Sequence, residues 1–352
     1  MDHPYIGLEK SAYWRSAVSD LNALELRDVF APKFPISRSM AICAAGSCFA
    51  QHIGRQFKQR KFKFIDLEPP LALLEPEMLP KFGLDMYSAR YGNIYSIRQL
   101  LQMFKRANGS FIPEETVWET NGRFYDPFRP SIEPNGFESL QELEQDRAHH
   151  LARVNRLLNV TDLFVFTFGL TEGWINKSDG SVLPTCPGTI AGEYDDSKYE
   201  FHNFTHAEVL ADAEEFIAYA LAINPDMKFM FTVSPVPLTA TASGQHVLPA
   251  TVYSKSVLRG VCGELFQKYP QVDYFPSYEL VSAHPMRAMF YNPNLRGVSA
   301  LGVAHVMNVF FNAIGDTGLE GGEPASDDSA EARAQKEEAI ACDEMILEAF
   351  GK

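Results

Sequence analysis

The chain has 352 residues, 46% of them apolar and 22% charged, with a formal net charge of −14. That size and apolar share suit one large α/β domain with insertions, or two domains, and no run approaches the ~20 apolar residues of a membrane span. The acidic balance argues against an electrostatic grip on nucleic acid or anionic lipid.

Residues 1–37 are a polar and aromatic lead-in with Trp14, Phe30 and Phe34, expected to wrap the body. An apolar run, Met40 to Ala45, then meets Gly46-Ser47, after which Phe49, Ile53 and Phe57 recur at four-residue spacing. This reads as strand, tight turn and helix over about 39–60. Residues 61–80 are Pro-rich and irregular. Tyr91 to Tyr95 reads as a turn before a helix carrying Ile97, Leu100, Leu101 and Phe104. Residues 108–136 read as an insertion, and 137–158 as a long amphipathic helix. The continuous apolar run over 162–168 suits a strand buried on both faces of a parallel sheet. Residues 174–205 look loop-rich and form a second insertion. A helix at about 206–223, a buried strand at 228–233, a helix at about 253–268 and a strand at 272–276 follow. The last helix runs from about 299 to 314. Alternating strands and helices predict a parallel sheet covered by helices on both faces. The domain is expected over 1–315. Residues 316–352 make an acidic linker and a helix-like tail.

The N-terminus shows no basic segment followed by an apolar one, so no secretory signal is expected. The five cysteines are scattered and read as reduced thiols, which fits a cytoplasmic protein. No Cys-x-x-Cys or His-x-x-x-His pair points to a metal site.

In open α/β sheets, ligands bind at the C-terminal ends of the strands. Three loops fall there. One carries Gly46-Ser47. A second carries Gly169-Leu170-Thr171-Glu172. The third holds His284, Asn294 and Arg296 before the last helix. A serine, a glycine among small polar residues and a late histidine are the ingredients of acyl transfer: Ser attacks a carbonyl, His takes its proton and N–H donors hold the oxyanion. Ser47 also fits an ordinary helix N-cap.

Gly46-Ser47-Cys48-Phe49-Ala50 resembles the signature of the GSCFA-domain family. Tyr91-Gly92-Asn93-Ile94-Tyr95, Phe166-Thr167-Phe168-Gly169, Phe231 to Val236, Ser254-Lys255-Ser256 and Tyr274 to Glu279 resemble further stretches of it. That family is similar to the SGNH (GDSL-like) hydrolases and acyltransferases, and its members are often linked to polysaccharide modification. The resemblance implies a flavodoxin-like three-layer fold with Ser47 as nucleophile. It implies oxyanion donors from Ser47 and Gly92, with Asn93 beside it. Thr171 stands where SGNH proteins carry an asparagine donor. The Asp-x-x-His register holds Asn294-Leu295-Arg296-Gly297 instead. The base is therefore expected from His284, with His246 as the alternative. Glu172 and Glu279 are candidates to orient the imidazole. Arg296 and Asn294 are candidates to bind substrate, with a structural ion pair equally open for Arg296. The implied activity is a carbohydrate O-acyl esterase or acyltransferase that requires no cofactor, with acyl-CoA a candidate co-substrate. The other reading is an inactive module of the same fold that binds a saccharide or a biosynthetic partner protein.

Several other residues have plainer readings. Lys255 reads as a solvated residue of a capping turn, or as a phosphate ligand at a helix start. His305 reads as a packed histidine of the last helix, and Cys48 as structural filler.

Overall fold

A computed structural model describes residues 3–26, 28–70, 74–316 and 343–351. The elements run β1 (Ile42–Gly46), α1 (Phe49–Gln59), α2 (Ile97–Ala107), β2 (Trp118–Thr120), β3 (Arg123–Tyr125), α3 (Leu140–Leu157), β4 (Leu163–Phe168) and β5 (Glu172–Asn176). They continue with β6 (Val182–Leu183), β7 (Tyr199–Asn203), α4 (His206–Ile223), β8 (Lys228–Val233), α5 (Val247–Lys268), β9 (Val272–Tyr274), α6 (Ser277–Ser282) and α7 (Ala300–Ala313).

The central sheet has the order β1-β4-β8-β9, with every pair parallel. The segment at Phe64 adds a parallel bridge to Ile42, on the free edge of β1. Ile42 N–H donates to Lys63 O at 2.9 Å, and Ile65 N–H donates to Ile42 O at 2.8 Å. Counting that segment as a rudimentary second strand, the chain order across the sheet is 2-1-3-4-5. This is the flavodoxin-like doubly wound order, in which the crevice lies between strand one and strand three. Here those strands are β1 and β4.

Strand residues alternate between two apolar layers. Cys43, Ala45, Phe164, Phe166, Phe168, Phe229 and Phe231 pack against residues of α2, α3, α4 and α5. Ile42, Ala44, Leu163, Val165 and Met230 pack against α1, α6 and α7. Both faces are covered, which makes the continuous apolar runs necessary and gives a three-layer α/β fold. Each fully buried Phe contributes about 1.5–3 kcal/mol of burial free energy. The lead-in does pack on the body. Leu26, Phe30 and Ile36 join the second layer, and Phe30 meets Phe275 at 5.2 Å between ring centroids.

The stretch expected to be loop-rich is instead ordered by pairing. β5, β6 and β7 form an antiparallel sheet in the order β6-β5-β7. Its strands are short and mixed in polarity, so no long apolar run marks them. The insertion at 108–136 contains the hairpin β2-β3. α5 begins at Val247 rather than near 253, because His246 caps it. In the tail, Asp343–Phe350 forms a 3-10 helix. The expected linker and the first part of the helix-like segment, with Cys342, lie outside the described residues.

Candidate active site

β1 delivers Ser47 to the C-terminal edge of the sheet. Gly46 has φ +142°, and a Cβ there would lie 2.5 Å from Thr167 O, so only glycine fits between β1 and β4. α1 starts at Phe49 with Cys48 as its N-cap residue and no side-chain cap. Ser47 is thus not a helix cap. Its side chain is 4% exposed, and its Oγ has no hydrogen-bond partner. A buried hydroxyl without a partner costs stability, and such groups call for an explanation in function. Cys48 packs in the layer beneath, as filler would.

Two loops pack against the Gly46-Ser47 turn. Ile94 N–H donates to Gly46 O at 2.9 Å and fixes the Gly92-Asn93 turn beside β1. Gly92 is buried at φ +70°, and its N–H makes no hydrogen bond among the described residues. Asn93 Oδ1 accepts from Tyr87 Oη at 2.6 Å, and Gln51 Nε2 of α1 donates to the same Tyr87 oxygen at 3.1 Å. The second loop follows β4. A Cβ on Gly169 would lie 3.1 Å from Ser47 Cβ and 3.1 Å from Tyr95 O. Gly169 N–H and Leu170 N–H both donate to Tyr95 O, at 3.0 and 3.2 Å.

The structure does not give several expected residues the roles assigned to them. Thr171 is no oxyanion donor: its Oγ1 donates to Asn203 Oδ1 at 2.6 Å, and its N–H donates to Ser254 Oγ at 2.9 Å. His284 does not bond Ser47. It is exposed at the start of a short 3-10 turn, with its ring stacked on Trp14 at 5.4 Å and 19°. His246 is exposed, and its Nδ1 accepts from Leu248 N–H at 3.1 Å as the cap of α5. Glu279 is engaged by Arg259 at 2.5 Å and by Tyr274 Oη at 2.8 Å, a structural cluster on α6. Asn294 is exposed and closes a turn, its Oδ1 accepting from Arg296 N–H and Gly297 N–H at 3.0 Å each. Arg296 is buried. His305 is buried on α7 and stacks on Phe290 at 4.8 Å.

Glu172 remains near the site. It opens β5, and its Oε1 accepts from Thr241 Oγ1 at 2.7 Å. Burial pushes its carboxyl above the ordinary range, against the bonds from Thr241 and Ala242. With Tyr95, Leu170, Trp174, Leu238 and Leu347 it lines a cleft of about 190 Å³ that adjoins the Gly169 loop. Among the described residues, no group of three or more His, Cys, Asp or Glu side chains is placed to hold a metal ion, and no helix is long and apolar enough to cross a membrane.

Lys255 was not expected here. It sits inside α5, 2% exposed, with Nζ donating to Gly169 O at 2.5 Å. It is no solvated cap. The sequence held one signal: Lys255 is three residues before Leu258 and seven before Cys262, in register with the buried stripe of α5.

Fold and site together define a three-layer α/β protein with a buried serine at the crevice between its first and third strands. The chain belongs to the GSCFA family, whose profile matches residues 41–310. No curated protein matches it. A solved structure described as a putative platelet activating factor from Streptococcus pneumonia is 14% identical, with 49% of this chain and 67% of that chain covered and a TM-score of 0.27. A second solved structure is 11% identical, with 80% and 98% covered and a TM-score of 0.33.

Proposed function

We propose that the chain is a serine-dependent O-acyl esterase or acyltransferase acting on a carbohydrate or polysaccharide precursor through an acyl-enzyme at Ser47. The observation that carries this reading is the Ser47 hydroxyl, buried at the switch point of the sheet with no partner. A hydroxyl not committed to a structural hydrogen bond is available to a base and to a substrate carbonyl. Gly92 N–H, in the turn that Ile94 N–H ties to Gly46 O, and Ser47 N–H, whose bond to Thr167 O is long at 3.4 Å, are the candidate donors to a tetrahedral oxyanion. The likeness of the GSCFA family to SGNH proteins suggests the acyl chemistry, and that family's link to polysaccharide modification suggests the carbohydrate. The cleft beside Trp174 and Glu172 offers an aromatic face and a carboxyl group for an acceptor hydroxyl. Cytoplasmic placement, read from the cysteines, favours acyl-CoA as the donor.

The second reading is a binding module of the same fold. It is favoured by the placement of His284 and His246 away from the serine hydroxyl. Turnover separates the two. Hydrolysis of acetylated sugars, or transfer from acetyl-CoA to sugar hydroxyls, that is lost in Ser47→Ala supports the enzyme. Saccharide binding without turnover by either protein supports the module.

A further inference from the structure

Resting on the reading of Ser47 as nucleophile, we propose that Lys255 is the proton acceptor of that serine. Four observations lead there. Lys255 is a cationic side chain carried into the interior, 2% exposed, on the element that packs the Gly169 loop. Its Nζ is anchored on Gly169 O at 2.5 Å. Gly169 is packed so tightly on Ser47 that a methyl group on it would lie 3.1 Å from Ser47 Cβ. Neither of the histidines assigned as base from sequence bonds the serine.

α5 grips the Gly169–Thr171 loop twice. Lys255 holds the carbonyl of Gly169, and the adjacent Ser254 holds the N–H of Thr171. One rigid helix therefore holds the lysine on the loop whose glycine packs on Ser47. Catalytic hydrogen bonds are often long or unmade without substrate. In the resting structure the amine donates to the carbonyl and the hydroxyl is unpartnered. On substrate binding, Nζ passes from Gly169 O to Ser47 Oγ.

The step balances with this chain alone. The neutral amine takes the Ser47 proton as Oγ bonds to the ester carbonyl carbon. The carbonyl electron pair moves to the oxyanion held by Gly92 and Ser47 N–H. On collapse, the bond to the leaving alkoxide breaks, and the ammonium returns its proton to that oxygen. Water or a sugar hydroxyl then reverses the sequence on the acyl-enzyme, with its proton going to Nζ.

The test measures the rate at which a fluorophosphonate labels Ser47 in the full chain. Arginine at position 255 keeps a cation within reach of Gly169 O but does not give up its proton. Labelling is expected to fall by about 10²-fold or more in both Lys255→Arg and Lys255→Met. It is expected to be unchanged in His246→Ala and His284→Ala. Wild-type rates in a folded Lys255→Arg, or loss of labelling in either histidine variant, overturn the proposal. If both lysine variants lose their cooperative thermal transition, the wild type decides. With lysine side chains ¹⁵N-labelled, adduct formation at Ser47 is expected to shift a buried amine resonance, and the absence of any shift overturns the proposal. No labelling of the wild type refutes the serine reading itself, whereas labelling that persists in Lys255→Arg refutes the lysine alone.

Discussion

Replacing Ser47 by alanine is expected to stabilise the protein while abolishing its reactivity. The Ser47 Oγ is buried and unpartnered. An unsatisfied buried hydroxyl costs about 1–3 kcal/mol in proteins. Removing the oxygen leaves a void of roughly 13 Å³, which at about 24 cal/mol per Å³ costs about 0.3 kcal/mol. The balance is a gain of about 1–2.5 kcal/mol. With an unfolding entropy of about 2.1 cal/mol/K per residue over 352 residues, Tm rises by roughly 1–3 °C. A helix-capping serine behaves in the opposite way, because its loss costs about 0.5–2 kcal/mol. The sign of the shift therefore separates the two roles. Differential scanning calorimetry of wild type and Ser47→Ala measures it. A lower Tm for the variant would show that the hydroxyl is structurally bonded, and would refute the reasoning from its burial.

Gly169→Ala forces a methyl group to within 3.1 Å of both Ser47 Cβ and the Tyr95 carbonyl oxygen. That oxygen is pinned by two N–H donors, so the serine must yield. We expect a stability loss of about 1–3 kcal/mol and a fall in labelling rate of about 10²-fold, the cost of a misplaced reacting group; normal labelling would contradict the packing argument. Glu172 carries a carboxyl whose affinity for protons is raised by burial. Its folded form binds a proton more tightly than the unfolded chain, so its contribution to stability is present below the unfolded pKa and is lost as pH rises through the folded one. Glu172→Gln should raise Tm relative to wild type at pH 7 and leave it near wild type at pH 4; an equal shift at both values would contradict this. Asp126 is buried against Arg129 at 3.1 Å and Arg147 at 3.4 Å. Burial opposes its ionisation, but Arg129, Arg106 and Arg147 together hold the carboxyl well below its usual range. Asp126→Asn is expected to cost about 3 kcal/mol, at the low end for breaking a buried pair, because Arg129 keeps Asp146 at 2.8 Å. Urea denaturation checks it, and a loss under about 1 kcal/mol, the scale of an exposed pair, would contradict it.

The elements that were legible in the sequence are those whose burial demands a continuous pattern. β4 and β8 are uninterrupted apolar runs because both faces of the sheet are covered. α4 was bounded correctly, and Thr205 and Glu208 form a capping box at its start. β5, β6 and β7 escaped notice because each is short and paired in an antiparallel sheet whose faces are only partly buried. The start of α5 was missed for a different reason: its first turn carries the exposed Leu248 and a histidine cap, so the apolar stripe begins later than the helix. At the site, the short-range geometry of Gly46-Ser47 could be read because a tight turn at a strand end leaves few arrangements. The proton acceptor could not. His284 and His246 lie in loops or at helix ends, and no local pattern says where such residues point. Lys255 was concealed by its company, since a cation between two serines reads as solvated until the neighbouring apolar register is considered.

The most direct test of the central claim is to treat the full chain with a fluorophosphonate and map the adduct by peptide mass spectrometry. The account predicts a single adduct on the peptide that contains Ser47, absent in Ser47→Ala and retained in Ser234→Ala, which replaces the other buried serine directly after a strand of the central sheet, β8. No adduct on the folded protein, or an adduct that survives Ser47→Ala, would contradict it.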